Sequence, residues 1–182
     1  MAIDLPVLPR QATVELRLID FGGDLTPILG GPVQRILRLG SRLAADVTLP
    51  TMDAACARAW IAARMRAKAE GHMLRLGMAQ LGAAPTDRAA SSGAGAVIVV
   101  ASAAGVEVGH LFSFIVAGVS YLHQVTNVSG TTLSVAPMLR ADPGGQTLNF
   151  QSPVIEGLVD GATWSVERLR FIGQRFTLAE AR

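Results

Sequence analysis

VEVGHLFSFIVAGVSYLHQVTNVSGTTLSVA, residues 106–136, decides the fold class. β-Branched and aromatic residues crowd this stretch and Glu107 is its one acidic or basic residue, apart from His110 and His123. It reads as three strands, Val106–Val116, Ser120–Asn127 and Thr131–Ala136, separated by glycine turn signals. Downstream, Thr147–Gln151, Ala162–Phe171 and Arg175–Leu178 continue the pattern, and Ala96–Ala101 and Met73–Met78 precede it. Gly and Pro divide these segments at intervals of roughly 8–12 residues, the spacing of sandwiches and barrels.

Further upstream, Thr13–Ile19 (TVELRLI) alternates and reads as a strand, and Val33–Leu39 (VQRILRL) as a second. Gly22-Gly23 and Gly30-Gly31 punctuate the loop between them. In Arg42–Leu49, the residues Leu43, Ala45, Val47 and Leu49 share one face at period two. One helix is expected, at about residues 53–70. Asp53 after Pro50 is its N-cap, alanines fill its body, Lys68 lies in the last turn and Gly71 ends it. Helical spacing groups Cys56, Trp60, Ala63 and Ala67 into a core-facing stripe, leaving Arg58, Arg64, Arg66 and Lys68 around the remainder. The expected architecture is therefore mainly β, a β-sandwich or split barrel with one α-helix, in a single domain covering 1–182. Pro6 and Pro9 make 1–11 an extended arm. The small, polar run AAPTDRAASSGAG makes 83–95 an exposed loop, ordered by a partner.

Composition narrows the function classes. Of 16 basic residues only Lys68 is a lysine, and the net charge is +2, too small for a nucleic-acid binder despite a pI near 9.3. Half the residues are hydrophobic and 16% are charged, a balance suited to a subunit that hides much of its surface. Ala94–Gly105 and Leu111–Leu122 are apolar and uncharged, but a spanning helix needs about 20 apolar residues and Glu107 and His110 interrupt them, so no stable membrane insertion is expected. Met1–Arg10 carries Asp4 and two prolines and is no signal peptide. Cys56 is the single cysteine, which excludes a disulfide framework.

The search for chemistry returns no candidate. His72, His110 and His123 lack metal-ligand spacing, and HExxH and CxxC are absent. Both His110 and His123 read as structural histidines. No GxSxG elbow offers a nucleophile, and Gly22-Gly23, Gly30-Gly31 and Gly144-Gly145 lack the P-loop pattern. No catalytic, cofactor-binding or metal residue is assigned, and the chain is expected not to be an enzyme.

Two stretches carry a resemblance. Residues 31–71, GPVQRILRLGSRLAADVTLPTMDAACARAWIAARMRAKAEG, end a strand pair in VTLP and follow it with a capped, Trp-bearing helix. Residues 119–159 run from LHQVT (Leu122 to Thr126) through Gly130 to Leu133 and Pro137 to Arg140 to Ser152-Pro153 and a closing strand. Together they resemble the distal-tail-like, tail-tip proteins of long-tailed (siphovirus-type) bacteriophages, prophages and related tail-derived particles. The resemblance implies a structural virion component assembled in the host cytoplasm. It would form a hexameric homo-oligomeric ring joining the tail tube to the baseplate or tip. Tail-tube, tape-measure and tail-hub proteins would be its partners, and DNA would pass through the lumen without sequence-specific contact. The chain leaves no room for the separate carbohydrate-binding-like domain of larger members, which argues against direct receptor binding. The competing expectation is a β-sandwich module that binds glycan or peptide; such modules display exposed aromatics, whereas Trp60, Trp164, Tyr121 and most of the phenylalanines fall on expected core faces.

Overall fold

The computed structural model describes residues 2–28, 30–36, 38–160, 166–167, 170–171 and 174–180. The protein is mainly β with one helix. Its strands are β1 (Ala2–Asp4), β2 (Thr13–Ile19), β3 (Gly23–Leu25), β4 (Gln34–Ile36), β5 (Arg42–Thr48), β6 (Met73–Gly77), β7 (Arg88–Ala94) and β8 (Val97–Val100). They continue as β9 (Leu111–Val116), β10 (Val119–Ser129), β11 (Thr132–Ala136), β12 (Thr147–Leu148), β13 (Val154–Asp160), β14 (Val166–Glu167), β15 (Arg170–Phe171) and β16 (Arg175–Glu180), with α1 at Ala54–Glu70. Of the expected strand Ala162–Phe171, only the β14–β15 pair is described; Trp164 lies outside the described residues.

The strands form two main layers. An open sheet runs β1-β6-β13-β16-β5-β2. The second sheet, β12-β7-β8-β11-β10-β9, curls until its ends meet, where Ser113 and Asn149 exchange backbone hydrogen bonds of 3.0 and 2.7 Å. The result is a nearly closed six-stranded antiparallel barrel, and every barrel strand comes from one continuous stretch inserted between β6 and β13. Bulges at Ala90/Ser92 and Val125/Asn127 supply the bends that closure requires. Phe112, Phe150, Ile98, Leu133 and Leu148 fill the barrel interior. In the open sheet, period-two alternation puts Leu43, Ala45, Val47 and Leu49 into one core with Leu74, Leu76, Ile155, Phe176 and Leu178, as the sequence predicts.

α1 begins and ends where its capping residues require. Asp53 accepts a hydrogen bond from Cys56 N (2.7 Å), and Gly71 adopts a left-handed conformation (φ 66°) while His72 N donates to Ala67 O. The buried stripe differs from expectation: it is Ala57, Trp60, Arg64 and Ala67, while Cys56 is exposed. The cause is Arg64, whose guanidinium is buried over the Phe176 ring (4.5 Å) and donates to Gln174 Oε1 (2.7 Å). Satisfied in this way, a long cation turns inward, and Ala57 and Arg64 join Trp60 and Ala67 on the buried face in place of Cys56 and Ala63.

Two further expectations are corrected. The arm over 1–11 is extended, but Ala2–Asp4 pairs in parallel with β6 as the edge of the open sheet, and Leu5 and Leu8 pack on its core. Within 83–95, Arg88–Ala94 is a barrel strand, not a loop. Crowding requires glycine at one position: a Cβ on Gly93 would come within 2.6 Å of the Pro143 ring. Residues Ala83–Asp87 carry no strand or helix.

The layers meet along a split. β11 pairs with β10 only from Gln124 onward, so the outward N–H groups of Ser120 and Leu122 have no strand beside them. Carboxylates from the open sheet take that place: Glu156 accepts from Ser120 N (3.2 Å) and Glu180 from Leu122 N (2.6 Å). Gln80 does the same for β9, accepting from Leu111 N and donating to Leu111 O and Phe150 O. Buried backbone groups must be paired, and here side chains substitute for a missing strand.

Candidate assembly surface

Between β2 and β5 the chain makes an excursion whose core is the β3–β4 hairpin. Gly23 pairs with Ile36, Asp24 with Arg35 and Leu25 with Gln34. Alternation therefore places Leu25 and Ile36 on one face and Asp24 and Arg35 on the other. The charged face is tied down by Asp20, which accepts from Gly22 N, Ser41 Oγ and Arg35. These bonds, led by that from Gly22 N, hold the Asp20 carboxyl below the ordinary aspartate range.

Apolar residues on the hairpin and in the segments that flank it are exposed. Leu25 is 54% exposed, Val33 58%, Leu39 60% and Ile28 fully so, with Leu18, Phe21 and Ile36 also exposed. A two-stranded ribbon is marginal on its own in water. Its root is also apolar and cationic: the Arg42 guanidinium lies over the Phe21 ring at 5.3 Å. A cavity of about 460 Å³ opens beside them, lined by Phe21, Gly40, Arg42 and Arg140.

A second apolar surface flanks β2 nearer its start. A groove of about 570 Å³ is lined by Leu8, Pro9, Val14, Leu16, Leu81 and Leu111, among others, with Val7, Leu81 and Val108 prominently exposed around it. The outer edge of β2 is unpaired among the described residues, and edge strands recruit further strands unless blocked.

The third concavity is polar. About 430 Å³ of cleft lies at the barrel closure, between Asp4 and Arg75 on one side and Asp87, Gln146, Thr147 and Asn149 on the other. Its walls are partly committed to the fold: Asp87 accepts from Phe150 N and Gln151 N, and Arg75 bridges Glu156 (2.7 Å) and Gly118 O (2.9 Å).

The histidines lie apart. His72 sits 3.0 Å from Glu70 at the helix end, and His110 Nδ1 accepts from Glu107 N in a tight turn. His123 is buried in the barrel wall, stacked near Phe112 and Phe114, with Nδ1 3.0 Å from Pro137 O. Burial, chiefly, drives its pKa down to about 4. Among the described residues no group of three or more His, Cys, Asp or Glu is placed to hold a metal ion, and no helix is long and apolar enough to cross a membrane. The helix arginines are split: Arg66 pairs with Glu70 on the surface, while Arg64 is interior. Sequence reading missed the hairpin surface because Leu25, Ile28 and Val33 look like ordinary core residues; their one signal was the glycine pairs that isolate them from both flanking strands. No protein-family model and no curated protein matches this chain.

Proposed function

We propose that this chain is a structural subunit of a tail-tip assembly of the siphovirus type, working as a closed homo-oligomeric ring between tail tube and baseplate. It carries no catalysis in this reading. The observation that carries it is the group of exposed apolar residues on and beside the β3–β4 hairpin, Leu25, Ile28, Val33 and Ile36 among them. The distinct groove beside β2 supports a head-to-tail contact, because unlike patches on one protomer generate rings or filaments. Six copies, contacts to tail-tube, tape-measure and hub proteins, and passage of DNA through an unreading lumen follow from the sequence resemblance. Imaging of purified particles tests the reading: density for this chain in a rotationally symmetric ring at the tail tip is expected, and its absence from the tail, or presence without symmetry, refutes it.

A second reading, a glycan-binding module, is favoured by the polar cleft at the barrel closure, where amides, hydroxyls and carboxylates converge beside the exposed Ile115. Titration with a panel of neutral hexoses and N-acetylhexosamines, followed by amide shifts of Gln146, Thr147 and Asn149, decides it.

A further inference from the structure

The cavity at the root of the hairpin gathers two arginines around one aromatic ring. Its volume of about 460 Å³ is that of a small-ligand pocket, and Phe21, Gly40, Arg42 and Arg140 line it. Arg140, which follows β11, is held from behind. Its side chain is 10% exposed, lies 2.5 Å from the Glu180 carboxylate and rests over the Tyr121 ring at 5.3 Å. Glu180 in turn accepts from Leu122 N (2.6 Å) and Leu43 N (3.4 Å), so this ion pair belongs to the fold. Arg42, the first residue of β5, differs. Its guanidinium lies over the Phe21 ring, and among the described residues no carboxylate stands within ion-pair distance of it. Asp20, close by in sequence to Phe21, is committed to Gly22 N, Ser41 Oγ and Arg35.

We propose that this cavity receives a carboxylate from outside the chain, paired with the Arg42 guanidinium beside Arg140 and with its apolar body against the Phe21 ring. Two guanidinium groups and the one carboxylate of Glu180 leave the wall with an excess positive charge, and that charge sits on Arg42. A guanidinium is a planar fork that matches a carboxylate, and the bonds so formed are charge-assisted. The Arg140–Glu180 pair already shows this match in the same wall. A second carboxylate continues the alternation, from Glu180 to Arg140 to the ligand to Arg42.

Gly40 keeps the ring open to such a ligand. Its backbone lies outside the left-handed region, so its conformation does not call for glycine. A Cβ there would already touch the Phe21 ring at 3.6 Å, and a longer side chain would take up space beside it. Phe21 is 45% exposed, which leaves ring surface for an apolar group to cover. Two sources carry this chemistry: a small aliphatic or aromatic acid, and an acidic side chain of a docked second copy. The site itself does not rest on the ring reading.

The test is titration of the purified full-length protein with sodium benzoate, read from the amide shifts of Phe21, Gly40 and Arg42, with benzamide as the neutral isostere. Benzoate should saturate these shifts with a Kd in the roughly millimolar range, as befits one ion pair and one ring contact partly open to water. Benzamide should bind at least about tenfold more weakly, because it lacks the charge-assisted bond. Arg42→Gln should weaken benzoate by about the same factor, and Arg42→Lys, which restores the charge without the fork, should recover part of it. Gly40→Leu should block binding with both arginines in place. Equal affinity for benzoate and benzamide, shifts that do not saturate, or affinity unchanged in Arg42→Gln and Gly40→Leu overturns the site. Inorganic phosphate moving the same amides with equal affinity overturns the carboxylate assignment. If the variants do not fold, the comparison of benzoate with benzamide on the wild-type protein still decides. Repeating the titration across protein concentrations separates the sources: competition from self-association identifies a second copy's side chain, and a constant affinity identifies a free acid. A ring seen at the tail tip without benzoate binding removes this site alone, whereas benzoate binding by a chain absent from the tail removes the assembly reading alone.

Discussion

Replacing Trp60 with alanine tests how α1 is held. Trp60 is 1% exposed and packs against Phe176 with ring centroids 6.1 Å apart. Its companions on the buried stripe are two alanines and Arg64, so the indole supplies most of the helix's apolar burial. A buried tryptophan removes up to about 250 Å² from water. At about 25 cal/mol per Å² this is about 6 kcal/mol, reduced to about 4 once a partly compact unfolded chain and the retained Cβ are allowed for. That agrees with the 3–5 kcal/mol typical of large aromatic truncations. For a chain of this length, 1 kcal/mol shifts Tm by about 2–4 °C, so a drop of about 8–16 °C is expected. Urea denaturation followed by far-ultraviolet circular dichroism measures it. Trp60→Phe, which keeps a ring against Phe176, should recover more than half. A loss below about 1 kcal/mol in Trp60→Ala would refute the view that one side chain docks the helix.

Other positions give independent checks. Ala117 sits at φ 51° in the β9–β10 turn beside Gly118 (φ 79°), and Ala117→Gly should stabilise by about 0.5–1 kcal/mol in the same denaturation assay. A Cβ on Gly157 would lie 1.9 Å from Ala179 O across the β13–β16 pair, so Gly157→Ala should cost more than about 2 kcal/mol or prevent folding, read by thermal melt. Two buried groups should oppose each other in pH dependence. His123, lowered from 6.5 to about 4, contributes stability present above pH 6.5 and lost as pH falls towards 4; Glu180, raised from 4.5 to about 7, contributes stability present below pH 4.5 and lost as pH rises through 7. Each is worth on the order of 3 kcal/mol, so stability should be nearly flat between pH 4.5 and 6.5, and His123→Phe should expose a decline with rising pH, measured by denaturation at each pH. Finally, Ile28→Asp with Val33→Asp should leave Tm within about 2 °C, because both are exposed, yet abolish incorporation into particles, assayed by imaging.

The β framework was legible because its signals are local. Alternation in Arg42–Leu49, the Asp53 and Gly71 caps, and the β-branched runs of residues 111–136 each act over a few residues, and the structure places them as read, whereas Val106–His110, read as the start of a strand, forms a turn in which His110 Nδ1 accepts from Glu107 N. What escaped depends on contacts distant in sequence. Arg64 turned inward because of Gln174 and Phe176, more than a hundred residues away. Arg88–Ala94 is a strand because it pairs with β8 and with the distant β12, and Pro143 and Leu139 crowd Gly93 within it. Val154–Asp160 emerged from the resemblance alone, since Glu156 and Gly157 disguise a central strand whose carboxylate caps β10. Of the candidate assembly surface, the sequence displayed the glycines that set the hairpin apart, while which apolar residues remain bare depended on what the rest of the chain covers.

The interleaving of barrel and sheet also sets an order of biosynthesis. The barrel strands, residues 88–148, are contiguous and their contacts comparatively local, so they can close while the chain is still emerging. The open sheet must wait, because β16, at residues 175–180, lies between β13 and β5 and no earlier segment occupies that place. Until it inserts, β5 lacks one neighbour and the base of the hairpin excursion is unfinished. A nascent chain on the ribosome therefore carries a closed barrel before its open sheet is complete.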